Sequence, residues 1–90
     1  MMSNFLTEEQ QKAINMPEVK SIDDLIRTLP QTVTVSGKSY SFQFGFDNEY
    51  YAGYQSFGIY VDDYISWSKD PLECLYNLLS YVIKKSWRAY

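Results

Sequence analysis

Thr32-Val33-Thr34-Val35-Ser36-Gly37-Lys38-Ser39-Tyr40-Ser41-Phe42-Gln43-Phe44-Gly45-Phe46 is the stretch that decides how this chain folds. Apolar and polar residues alternate on both sides of Ser36-Gly37-Lys38. A period of two sets Val33 and Val35 on one face of a strand. It sets Tyr40, Phe42, Phe44 and Phe46 on one face of the next. Gly37 is free to take positive φ between them. The stretch predicts a β-hairpin with one apolar and one polar face, as in an antiparallel sheet covered on a single side.

Toward the C-terminus, Asp47-Asn48-Glu49 reads as a turn. Residues 50–63 are rich in Tyr, Phe, Ile and Val but are interrupted by Gly53 and Gly58. A third strand is expected from about Tyr54 to Asp62, with a bulge at Gly58 and with Phe57, Ile59 and Val61 on one face. Tyr60 then faces the other way. Spacing leaves Tyr50-Tyr51 either at the start of that strand or in an excursion before it. Asp70-Pro71-Leu72-Glu73 opens a helix with an acidic cap, a proline at the first helical position and a glutamate at the third. Leu72, Leu75, Tyr76, Leu79, Val82 and Ile83 give it a broad apolar face, which Trp87 and Tyr90 extend. It should run from Pro71 to about Ala89, roughly 28 Å at 1.5 Å per residue. Lys84, Lys85 and Arg88 complement the dipole at its end.

Toward the N-terminus, Thr7-Glu8-Glu9-Gln10 fits a capping box, and Pro17 stops that helix. Ser21 caps a second helix whose apolar stripe is Ile22, Leu25, Ile26 and Leu29, and Pro30 ends it. The expected architecture is α+β, in the order α-α-β-β-β-α. An antiparallel three-stranded sheet carries a long C-terminal helix on one face, and two short N-terminal helices precede it. The long helix should cover Val33, Val35, Phe42, Phe44, Ile59 and Val61.

The chain has 90 residues, enough for a single domain spanning 1–90. With no histidine, imidazole acid–base chemistry and His-ligated zinc are excluded; a lone cysteine, Cys74, excludes a disulfide framework. Eight basic and 11 acidic residues leave a net charge of −3, a poor starting point for binding phosphates or anionic membranes. The N-terminus lacks a secretory pattern, and no apolar run approaches the ~20 residues of a membrane span, so a cytoplasmic location is expected.

Several motifs invite chemistry and fall short of it. Gly37-Lys38-Ser39 ends like a P-loop, but Thr32 stands where the first glycine belongs and a strand follows instead of a helix. Asp47, Glu49, Asp62 and Asp63 could offer oxygen ligands, yet their spacing is not that of a calcium loop. Cys74 sits in the first turn of a helix without a histidine or second thiol to help it. The expectation is a protein that is not an enzyme and holds no metal or cofactor.

The segment from Ser39 to Ser68 has a different character. Its 30 residues contain no Lys or Arg, four acids, and Tyr40, Tyr50, Tyr51, Tyr54, Tyr60, Tyr64 and Trp67 among Ser, Gly, Asn and Gln. Tyrosines with small polar residues form adaptable recognition surfaces, and the acids would steer a basic partner toward them. The expected partner-binding residues are Tyr50, Tyr51, Tyr54, Tyr60, Asp62, Asp63, Tyr64 and Trp67, in a small non-enzymatic protein-binding module that is a monomer or weak homodimer. An alternative is a nucleic-acid-binding accessory protein using the basic aromatic end, Lys84-Lys85-Ser86-Trp87-Arg88-Ala89-Tyr90. Another is a structural protein that self-associates through a strand edge.

Leu72-Glu73-Cys74-Leu75-Tyr76-Asn77-Leu78-Leu79 and Tyr81-Val82-Ile83-Lys84-Lys85, after an acidic hairpin, resemble the tail of small uncharacterised phage and prophage accessory proteins of gut bacteria. The resemblance covers only the closing helix. It implies an inhibitor of host defence, in the manner of anti-CRISPR proteins, with the tyrosine and carboxylate surface as its inhibitory face.

Overall fold

The computed structural model describes residues 5–86. Two short helices, α1 (Glu8–Ile14) and α2 (Ile22–Thr28), come first. Then follow β1 (Thr32–Val35), β2 (Lys38–Asp47), β3 (Glu49–Ser56) and β4 (Ile59–Ser68), and α3 (Pro71–Ser86) closes the chain. The strands form one antiparallel sheet in the order β1-β2-β3-β4. The class is α+β, as expected.

The helix starts follow from their caps. The Thr7 hydroxyl accepts from the Gln10 amide at 3.2 Å, and the Gln10 side chain accepts from the Thr7 amide at 3.0 Å. Asn15, left-handed at φ 57, ends α1 two residues before Pro17. Ser21 and Asp24 form the same reciprocal box at α2. The backbone amide of Lys20 also donates to Asp24 and holds its carboxyl below the usual range. At α3 the Asp70 carboxylate accepts from the Leu72 amide at 3.0 Å, the Asx arrangement expected of an acidic cap. Trp87 to Tyr90, which the sequence assigns to the last turn, lie outside the described residues.

The sheet has four strands instead of the expected three. Gly58 is not a bulge. Phe57 and Gly58 are the two central residues of a hairpin turn, at φ 52 and 81, matching Ser36 and Gly37 at φ 53 and 80. Both residues left-handed is the turn geometry that follows the strands' own twist. Tyr50 and Tyr51 belong to β3. The irregularity lies further on. Gly53 pairs with Ile65 and Gln55 with Tyr60, so Val61 to Tyr64 stand opposite Tyr54 alone. Gly53 makes room for this bulge: a Cβ there would sit 2.7 Å from the Tyr64 carbonyl oxygen.

α3 lies across β4 and β3 on one face, and α2 packs against α3. Leu75, Leu78, Leu79 and Cys74 are fully buried beneath it, with Leu25, Val33, Ala52 and Tyr54. Each fully buried leucine contributes about 1.5–3 kcal/mol. The sequence places Ile59 and Val61 under this helix, but Ile59 is 64% exposed beside the Phe57-Gly58 turn and Val61 is half-buried in the bulge. An extra turn, unseen by simple alternation, moved both away from α3.

Tyr54 is the largest fully buried side chain. Its hydroxyl donates to the Pro30 carbonyl at 2.8 Å, tying β3 to the α2–β1 connection. Phe42 and Tyr64 flank its ring, each at 5.9 Å. Burial, with a smaller contribution from Tyr64, raises its pKa above the ordinary tyrosine value. Because the neutral phenol is favoured in the fold, this contribution is fully present below about pH 10. It is lost as pH rises from there toward the folded value. Tyr54→Phe leaves the Pro30 carbonyl unpaired and should cost about 1–3 kcal/mol in urea unfolding at pH 7. Above pH 10 the wild type should lose stability more steeply than the variant.

Candidate functional site

Directly paired residues in an antiparallel ladder share a face. Phe46, Tyr50 and Ser68 are aligned across β2, β3 and β4, and so are Gly45, Tyr51 and Trp67. Tyr50 thus points to the α3 side, where its ring packs on Phe44 and Phe46 at 6.1 and 4.9 Å. Tyr51 points to the opposite side. Its ring centroid lies 5.3 Å from Trp67 and 6.3 Å from Tyr60. The Tyr51 hydroxyl reaches across β2 over Gly45, where a Cβ would lie 2.6 Å from it.

The bulge assembles this outer cluster. Tyr60 and Trp67 are seven residues apart, so strict alternation would put them on opposite faces of the sheet. The bulge adds three residues to β4, an odd number that reverses the alternation and brings both rings to Tyr51. Trp67 remains 51% exposed. Burial and the neighbouring Tyr51 push the Tyr60 phenol above its ordinary pKa.

The eight residues that the sequence grouped are therefore sorted. Tyr51, Tyr60 and Trp67 come together on the outer face. Tyr54 is buried and does not belong to any surface, and Tyr64 packs edge-on against it from the α3 side. Tyr50 is half-buried on that same side. Asp62 and Asp63 are exposed in the bulge. Asp63 pairs with Lys85 of α3 at 3.5 Å, an exposed contact that contributes about 0–1 kcal/mol. Asp47 and Glu49 flank the β2–β3 turn instead, and no group of three metal-ligating side chains forms among the described residues.

Two residues escaped the sequence reading. Phe57 is 98% exposed at the tip of the β3–β4 hairpin, and Ile59 beside it is 64% exposed. The sequence assigned both to the Val61 face. The signal was Gly58 preceded by a β-rich run, but an aromatic residue in the left-handed region is uncommon and masks the turn. The Gln55 side chain holds the turn by accepting from the Gly58 amide at 2.8 Å.

Cys74 is a core residue. Its thiol donates to the Ser66 carbonyl at 3.4 Å, and burial pushes its pKa up to about 11, so it is protonated at neutral pH. The Ser66 hydroxyl nearby is buried with no protein partner among the described residues.

Neither family models, curated proteins nor solved structures match this chain.

Two variants test how the site is built. Phe57→Asn relieves a backbone cost of about 1–2 kcal/mol and should raise the melting temperature. Gly53→Ala forces a Cβ against the bulge backbone and should destabilise by about 1–3 kcal/mol. Near-ultraviolet circular dichroism should then show a weakened Tyr51–Trp67 signal.

Proposed function

We propose that the protein is a protein-binding module that presents the outer aromatic cluster and the Phe57 tip to a partner bearing Lys and Arg side chains. The reading rests on one observation: Tyr51, Tyr60 and Trp67 pack together on the sheet face opposite α3. Their segment carries four carboxylates and no cation. Aromatic faces attract guanidinium and ammonium groups, and Trp and Tyr dominate the energetics of protein interfaces. Asp62, in the bulge between Tyr60 and Trp67, adds charge of the matching sign. Phe57 supports the same reading, because a fully exposed aromatic held at positive φ costs stability that a contact with a partner could offset.

The likeness of the closing helix to phage accessory proteins gives this module a role. It would cover a basic nucleic-acid-binding groove of a host defence enzyme and so inhibit it. The basic end of α3 is the weaker candidate for contact, because Lys85 is already paired with Asp63.

The test is capture from nuclease-treated bacterial extract with the wild type, Trp67→Ser/Tyr60→Ser and Lys84→Glu/Lys85→Glu as baits. The captured protein should bind the wild type in a salt-sensitive way and lose about 30-fold or more in affinity for the aromatic variant, with the charge-reversed variant unaffected. Binding abolished by charge reversal alone, or retained by an oligonucleotide probe, would overturn the proposal.

A further inference from the structure

The inner edge of the sheet is only half covered. β1 pairs with residues 38–41 of β2, and the Phe42 amide donates to the Gln31 carbonyl at 2.9 Å. Beyond Phe42 no described residue pairs with β2 on that side. The Phe42 amide points toward β1, so alternation sends the amide and carbonyl groups of Phe44 and Phe46 the same way, where no described strand pairs with them. β3 takes up the other side of β2 through Asp47. The free slot, residues 43–47, is about 17 Å long.

This edge lacks the protection seen elsewhere in the sheet. β4 carries a bulge and the Asp62-Asp63 pair, and β1 is four residues long. The free half of β2 contains no proline and no lysine, and its one charge, Asp47, stands at the end. Exposed edges of this kind are templates for another strand. Beside it lies an apolar surface on the α3 side: Phe46, 64% exposed, against Tyr50, itself stacked on Phe44.

We propose that a second copy of this chain adds to the free half of β2, antiparallel, about a two-fold axis at Gly45. The occupant follows from the register. With Gly45 opposite Gly45 of the second copy, Phe44 faces Phe46 and each pair can exchange both of its backbone bonds, since these are the residues whose amides point outward. Gln43 then meets Asp47, so no like charges oppose each other across the axis. The Phe44, Phe46 and Tyr50 rings of the two copies join into one apolar layer. On the outer face each Gly45 lies under the Tyr51 hydroxyl of its own chain, so the two hydroxyls approach each other across the axis, and the glycines leave room for them. The slot ends at Gln31 on one side and at the Asn48 turn on the other, which fits a strand of this length and no longer one. The dimer is weak, because the added ladder is short and each copy carries a net charge of −3.

Sedimentation equilibrium up to about 1 mM protein tests this. The wild type should dimerise, and more tightly at high salt, which screens the repulsion between copies and is opposite to the salt dependence expected of the basic partner. Phe46→Pro removes an outward amide that the β2–β3 ladder does not use, and Phe46→Lys sets a charge opposite Phe44 of the second copy. Both should weaken the dimer about tenfold or more with little change in melting temperature, and if one fails to fold the other decides. Trp67→Ser should leave the dimer intact, which separates this proposal from the outer-face reading. Gln43→Cys/Asp47→Cys should give a reducible covalent dimer, because within one chain the two Cα atoms are about 13 Å apart, too far for a disulfide. A wild type that stays monomeric, a dimer that both Phe46 variants retain, or no cross-link would each overturn the proposal.

Discussion

One apolar helix covers one face of one sheet, and every other feature follows from that constraint. The leucines of α3 bury themselves against Ala52, Tyr54 and Val33, and α2 fills in beside them. Among the described residues no helix lies on the opposite face. Whatever side chains the strands direct there must meet solvent or a partner. The molecule accordingly measures 36 × 31 × 17 Å, with the thin dimension set by two layers.

Tyr54 is the point where the layers are fastened. It places a large ring in the core and donates its one hydroxyl to the Pro30 carbonyl, in the short connection where α2 has ended and β1 has not begun. A buried phenol without such a partner would weaken the core instead of fixing it. The Ser66 hydroxyl gives the contrast, being buried nearby without a described partner.

The bulge in β4 turns this sided architecture into a surface. Its odd number of extra residues lets Tyr64 face inward against Tyr54 while Tyr60 and Trp67 both face outward. Gly53 allows it by having no Cβ where the Tyr64 carbonyl passes. The aromatic cluster on the outer face and the packed ring beside Tyr54 are two results of one backbone irregularity. The short β1 leaves residues 43–47 of β2 without a described partner on that side, and this open edge lies next to the aromatic face, because Tyr51 reaches over Gly45.

The sequence alone determined whatever depends on neighbours a few residues apart. The capping boxes at Thr7 and Ser21, the acidic start of α3, the first hairpin and the leucine stripe are all readable in this way, because helix period, strand alternation and cap hydrogen bonds are local. The tertiary structure decided which tyrosines are surface and which are core. Tyr50, Tyr51 and Tyr54 look alike in composition, and only the pairing of β3 with two neighbours separates them. The fourth strand was hidden because Phe57 occupies a backbone region where asparagine or glycine is usual. The register of β4 was hidden because a bulge is set by long-range pairing, and one odd insertion reverses the face of every residue beyond it.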